Sequence, residues 1–239
     1  AAQAVVHDVF GVRREVQGHA GAASAYRGMA YSRADLERAL SGVSGQVLVE
    51  DMPDPAADAG RLIAAGAIVG WFEGRSEIGP RALGHRSLLV DPRSASNWQR
   101  MNHLKRREAW RPFAPAVLKE RAGDWFTGGP TSSPHMLFTA KVRNDRLPAI
   151  THVDGSARIQ TVGDDAGEFR RVIEAFNAHT GVPVLLNTSF NGPGEPIVET
   201  PADAVRFLTT TSLDALYVDG VKITRMPAME PASARSDVP

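Results

Sequence analysis

The sequence predicts a mixed α/β (α+β) fold, a twisted and partly antiparallel sheet with flanking helices. Three observations lead there. Short apolar runs of strand length intermix with amphipathic stretches of helical length, without the regular βα repeat of a doubly wound parallel sheet. Residues 215–218 and 221–224 flank Asp219-Gly220, a tight-hairpin signal and hence a sign of antiparallel pairing. The composition is that of a folded globular chain: 239 residues, 43% hydrophobic and 23% charged, with 27 Lys and Arg against 27 Asp and Glu.

Taken in order, residues 1–31 are rich in Ala, Gly and charge and read as a lead-in. Ser32 is placed to N-cap a helix over 33–40, with Asp35 at the capping-box position. Pro55 opens a second helix to residue 65, with Ala59, Leu62 and Ile63 on one face and Gly66 to stop it. Residues 67–72 form a buried-strand pattern, 79–84 a glycine-bounded turn, and 87–90 a strand ended by Asp91-Pro92. A helix is predicted over 94–108, with Trp98, Met101 and Leu104 on one side and Pro112 closing it. Strands follow at 113–118 and 136–142, around a loop at 127–134, then an irregular stretch at 144–154 and a strand at 158–162. Phe169, Val172, Ile173 and Phe176 give 168–179 a clear apolar helical stripe, which Gly181 ends. Residues 183–186 are strand-like, and Pro201 precedes a helix over 202–208. Residues 227–239 carry three prolines and read as a disordered tail.

Composition excludes several functions. Without cysteine there is no disulfide, thiolate metal site or cysteine nucleophile. No apolar run reaches the roughly 18 residues of a membrane span, and the N-terminus lacks signal-peptide features, so a cytoplasmic protein is expected. The seven histidines form no HxxxH or HxH pair, and no metal site made by this chain is expected. Walker-type, GxGxxG and GxSxG motifs are absent. Against this neutral background, residues 75–111 hold nine Lys and Arg but three acids, a formal excess of +6 that implies an anionic partner.

Three segments concentrate polar groups. In residues 72–87, three glycines allow tight backbone bends, while Arg75, Arg81 and Arg86 offer guanidinium forks for phosphate or carboxylate; a solvated loop is the competing reading. In residues 102–115, Lys105 and its basic neighbours are crowded by Trp110, Phe113 and two prolines, so some cations should be partly buried and need an anion. In residues 184–196 an apolar strand runs into Asn187-Thr188-Ser189, short polar side chains suited to a ligand or to capping the strand. Arg158 stands alone in a strand-like run and reads there as a structural ion-pair partner, while His85 and His103 read as satisfied polar histidines or as ligand contacts.

The strings EGRSEIGPRALGHRS (73–87), KRREAWRPFAP (105–115) and LLNTSFNG (185–192), in this order, resemble the C-terminal domain of the nodulation-factor and antibiotic O-carbamoyltransferases. The resemblance runs over residues 45–226 and implies a YrdC-like domain there, with residues 1–44 a linker or the remnant of an N-terminal Kae1-like domain. It implies an enzyme, a carbamoyltransferase, that forms carbamoyl adenylate from carbamoyl phosphate and ATP with Mg²⁺, for transfer to a hydroxyl of a natural product. Iron is expected only in the N-terminal domain, which the chain lacks by this comparison and which the transfer step would need. Carried over, the family's contacts fall on Arg81, Lys105 and Arg111 as the catalytic clamp on carbamoyl phosphate, and on Arg158, Asn187 and Ser189 as nucleotide contacts. A YrdC-like RNA-binding module without carbamoyl chemistry is the alternative; low aromatic content and the lack of an RNA motif weigh against it.

Overall fold

The computed structural model describes residues 25–108 and 110–227. Residues 1–24 and residues 228–239 of the tail expected over 227–239 lie outside them. Ten strands form one mixed sheet: β1 (Val47–Asp51), β2 (Val69–Phe72), β3 (Arg86–Val90), β4 (Ala114–Leu118), β5 (Phe126–Thr127), β6 (Phe138–Val142), β7 (Ser156–Val162), β8 (Val184–Ser189), β9 (Ala215–Val218) and β10 (Val221–Arg225). Their order across the sheet is β1-β10-β9-β2-β3-β8-β4-β7-β6-β5. The pairs β2/β9 and β4/β7 are parallel and the others antiparallel, the mixed class that the irregular element order predicts.

The helices are α1 (Arg33–Ser41), α2 (Pro55–Ala64), α3 (Ala95–Leu104), α4 (Ala122–Trp125), α5 (Gly167–Thr180) and α6 (Pro201–Thr210). Their starts follow from the caps. The side chains of Ser32 and Asp35 each accept the other's backbone N–H in a complete capping box, and Thr200 with Asp203 repeats it at α6. Asp54 caps α2 ahead of Pro55. The stripe of α5 is fully buried on β4 and β8, and α2 lies against α5. Gly60 makes that contact possible, since a Cβ there would stand 2.6 Å from the Ala175 Cβ. Helix α1, within the segment expected as linker or remnant, packs on α6 and buries Leu36 in the common core.

Asp219 and Gly220 both take positive φ (43° and 90°), the two-residue primed turn that the Asp-Gly pair predicts. Two expectations change, and one strand appears that the sequence reading did not include. The helix predicted over 94–108 ends at Leu104, because Arg106 turns the chain at φ +43°. Strand β8 continues past Leu186 to Ser189, since β3 pairs with its polar end (Ser87 with Ser189). Strand β1 carries no burial alternation; it is an edge strand fixed by pairing with β10.

Candidate active site

The site forms where β8, the centre of the sheet, meets the loop before β3, the segment after α3, and β7. Glu77 shapes the loop: its Oε1 accepts the amides of Leu83 (2.6 Å), His85 (2.8 Å) and Arg86 (3.3 Å). Gly84 holds the return at φ +120° and sits so close to α5 that a Cβ would lie 2.2 Å from the Phe169 ring. This organisation corrects the reading of the three loop arginines. Arg86 is fully buried, lies over the Phe72 ring at 3.4 Å and donates to the carbonyls of Glu73, Gly74 and His85, so it braces the loop from within. Arg75 bonds the Arg27 carbonyl (3.4 Å), and His85 Nδ1 meets the Arg75 carbonyl (2.7 Å) while its ring stacks on Tyr26 at 3.8 Å. Of the loop cations only Arg81 reaches the cavity.

That cavity is about 720 Å³. Arg81, Arg107, Arg111 and Arg158 supply its cations, Trp110, Phe113, Met136 and Ala157 its apolar surface, and Asn187, Thr188 and Ser189 its polar floor. Five of the six expected site residues therefore come together: Arg81, Arg111, Arg158, Asn187 and Ser189. Two of them have unused hydrogen-bonding capacity. Asn187 is 1% exposed and donates through Nδ2 to Gln160 Oε1 (2.8 Å) and the Ala82 carbonyl (3.2 Å), yet its Oδ1 has no partner. The buried Nε of Arg158 has none either. A buried polar atom without a partner is costly, and here both belong to residues lining the cavity. Burial, and then the nearby Arg81, lowers the pKa of Arg158. Two guanidinium groups in one pocket favour an anion between them.

The sixth residue, Lys105, is placed differently. Its ammonium donates to the Ser189 carbonyl (2.6 Å), Asn191 Oδ1 (2.7 Å) and the Asn191 carbonyl (3.1 Å), tying the end of β8 to the end of α3. Burial, with Arg107 and Arg111 nearby, pushes its pKa down to about 7. It lines a second compartment of about 380 Å³ that shares Arg107, Arg111 and Ser189 with the first. Arg111 faces both compartments, its only carboxylate neighbour among the described residues being Glu108 at 3.7 Å. His103 lies on a separate, neighbouring cavity.

Sequence reasoning gave Arg107 no role. It lies over Phe113 at 3.9 Å and donates to Asn102 Oδ1 (2.8 Å); burial and Arg111 pull its pKa down to about 10. Of the lip formed by His152, Asp154 and Ser156, the first two fall in the stretch 144–154 read as irregular, and Ser156 lies just beyond it. Asp154 Oδ1 accepts the Ser156 hydroxyl (2.6 Å) and amide (2.9 Å), which hold its carboxyl well below the usual carboxylate range. Gln160 was within reach of the sequence, because in a strand it shares a face with Arg158. Among the described residues no group of three or more His, Asp or Glu side chains could hold a metal ion, and no helix is long and apolar enough to cross a membrane.

Comparison with known proteins agrees with this architecture. The family described as carbamoyltransferase C-terminus matches residues 60–225. The nodulation protein NolNO of Sinorhizobium fredii is 47% identical over 200 residues, covering 81% of this chain and 29% of that protein. The 3'-hydroxymethylcephem-O-carbamoyltransferase of Amycolatopsis lactamdurans is 41% identical over 187 residues, covering 73% and 36%. Among solved structures, HypF of T. kodakarensis superposes with a TM-score of 0.50 at 17% identity, covering 75% of this chain and 22% of that one, a likeness of fold. The first three curated relatives are covered over only 29%, 36% and 41% of their length. The chain belongs to the carbamoyltransferase C-terminal family.

Proposed function

We propose that this domain forms carbamoyl adenylate from carbamoyl phosphate and ATP, for transfer to a hydroxyl group of a natural product. The observation that carries the reading is the 720 Å³ cavity, where Arg81, Arg107, Arg111 and Arg158 converge beside the unpartnered Asn187 Oδ1. Carbamoyl phosphate and ATP are both polyanions, and bringing them together needs such a concentration of cations. The carbamoyl amide is a donor, and Asn187 offers it a buried acceptor. Because the cations line a concavity, they suit small anions better than an RNA backbone.

The overall change consumes one water. Carbamoyl phosphate releases its phosphoryl group as inorganic phosphate, a carbamate oxygen bonds the α-phosphorus of ATP, and pyrophosphate leaves with the electron pair of the broken P–O bond. The protein's part is positioning and electrostatics. Arg81 and Arg111 would hold carbamoyl-phosphate oxygens, Arg158 and Ser189 the α-phosphate, and Asn187 the amide. Lys105 acts as a positioning residue through its grip on Ser189 and Asn191. Mg²⁺ would arrive on the nucleotide and screen its phosphates; Asp154 alone among carboxylates lines the larger cavity, which fits a nucleotide-borne ion better than a protein cage.

Transfer to the acceptor hydroxyl would belong to an N-terminal Kae1-like domain carrying iron. The test is exchange of labelled pyrophosphate into ATP, which should depend on carbamoyl phosphate and Mg²⁺, with no carbamoylated acceptor by mass spectrometry until an N-terminal domain is added. Acceptor carbamoylation by this chain alone would refute the division of labour. A folded chain without exchange would refute independent activation.

A further inference from the structure

Arg106 is an anomaly. The end of α3 closes with paired backbone bonds, from Arg107 N to the Asn102 carbonyl (3.2 Å) and from Arg106 N to the His103 carbonyl (3.0 Å). This is the Schellman arrangement, whose left-handed position is usually glycine because a Cβ is disfavoured there. Here the position holds arginine at φ +43°. Only Met136 and Asp219 share positive φ among the described non-glycine residues, and Asp219 belongs to a hairpin turn that favours it. Arginine gives the cap nothing that glycine would not. Its side chain is exposed, has no partner among the described residues, and lines the 380 Å³ compartment.

That compartment has Lys105, Arg106, Arg107 and Arg111 on one side against a single carboxylate, Glu108. The Gly192-Pro193-Gly194 turn also lines it, and the shared Arg107, Arg111 and Ser189 join it to the larger cavity. An excess of cations beside an anion site, reached through the same arginines, fits the continuation of the same ligand. Asn187 and Arg158, with their unused groups, lie in the larger cavity and not in the smaller one.

We propose that the smaller compartment seats the β- and γ-phosphates of the nucleotide, and pyrophosphate after cleavage, with Arg106 as their dedicated cation. This inference rests on the adenylation reading above. As the α-phosphorus bonds the carbamate oxygen, its bond to the α–β bridging oxygen breaks, and the electron pair stays on pyrophosphate. The added charge develops where Arg106 and Arg107 face it. The strained backbone holds the guanidinium at the junction, a local cost sustained by function.

Calorimetric titration of the full chain with ATP, AMP and inorganic pyrophosphate tests this, using wild type, Arg106→Gly, Arg106→Asn and Arg106→Lys. Glycine and asparagine both tolerate the left-handed backbone, so the cap survives. Arg106→Gly and Arg106→Asn should lose about 10-fold in affinity for ATP and pyrophosphate, the low end for a charge-assisted hydrogen bond at an exposed side chain. AMP should change by less than about 2-fold, Arg106→Lys should recover part of the loss, and Arg106→Gly should melt no lower than wild type. Equal losses for AMP and pyrophosphate, or no loss for either, would overturn the assignment while leaving the adenylation reading intact. Wild type that binds none of the three would overturn both.

Discussion

The pKa of Lys105, about 7 in the free protein, makes anion binding depend on pH in a way that can be worked out beforehand. Lys105 is 6% exposed and lies near Arg107 and Arg111, so the charged form is disfavoured until an anion arrives. An anion in the adjoining compartment restores the pKa toward about 10.5, and binding takes up a proton. Above about pH 7 affinity should then fall, approaching about tenfold per unit, for a loss of up to about 50-fold between pH 7 and 9. Sulfate is the probe to use, because its own charge is constant over this range. Titration in buffers of different ionisation enthalpy reads the proton uptake directly. Lys105→Met should bind more weakly at pH 6 and lose the slope. The sign for folding follows from the same shift: the folded pKa is depressed, so the group's contribution is fully present above about pH 10.5 and is lost as pH falls to about 7. Ligand-free wild type should therefore gain up to about 1.4 kcal/mol per pH unit over Lys105→Met between pH 7 and 9 in urea unfolding. Sulfate affinity independent of pH, or the same slope in both proteins, would refute the reasoning.

Two further outcomes are expected. Gly84→Ala should destabilise by about 3 kcal/mol or more, because it combines φ +120° with a Cβ 2.2 Å from Phe169, and an unchanged urea midpoint would mean that the loop moves aside. Asn187→Ala should lose carbamoyl-phosphate affinity by about tenfold or more, a larger free-energy change than its loss of stability; large destabilisation with unaltered binding would make Asn187 a strand cap only.

Elements that carry their own boundary chemistry were legible in the sequence. The Ser32–Asp35 box, Pro55 and Pro201 at the starts of their helices and the Asp219-Gly220 turn are each decided by a few local residues, while the caps Asp54 and Thr200 beside those prolines were not read. What depended on partners was not legible. Strand β1 exists because β10 offers an edge, and β8 extends to Ser189 because β3 and Lys105 hold its polar end. The end of α3 misled for a related reason: Arg106 occupies a left-handed position that only glycine or asparagine would have announced.

The site shows the same division more sharply. Short-range composition identified where cations gather, and the family motifs selected five residues that the fold brings to one cavity. Composition could not say which cations face a ligand. Arg81 and Arg86 stand five residues apart in one loop, yet Arg86 is sealed under Phe72 with three carbonyls while Arg81 opens onto the cavity. The difference is made by Glu77, whose carboxylate gathers three amides and turns the chain between the two arginines. Lys105 is a further case, since its reach to Ser189 and Asn191 spans more than eighty positions of sequence. A charge becomes a binding group only when the fold leaves its hydrogen bonds unspent. In this domain Arg86 spends both Nη groups on carbonyls inside the loop and keeps its one unpaired nitrogen, Nε, away from either cavity, whereas Arg158 lines the larger cavity and Arg106 the smaller one, and substitutions at the three should differ accordingly.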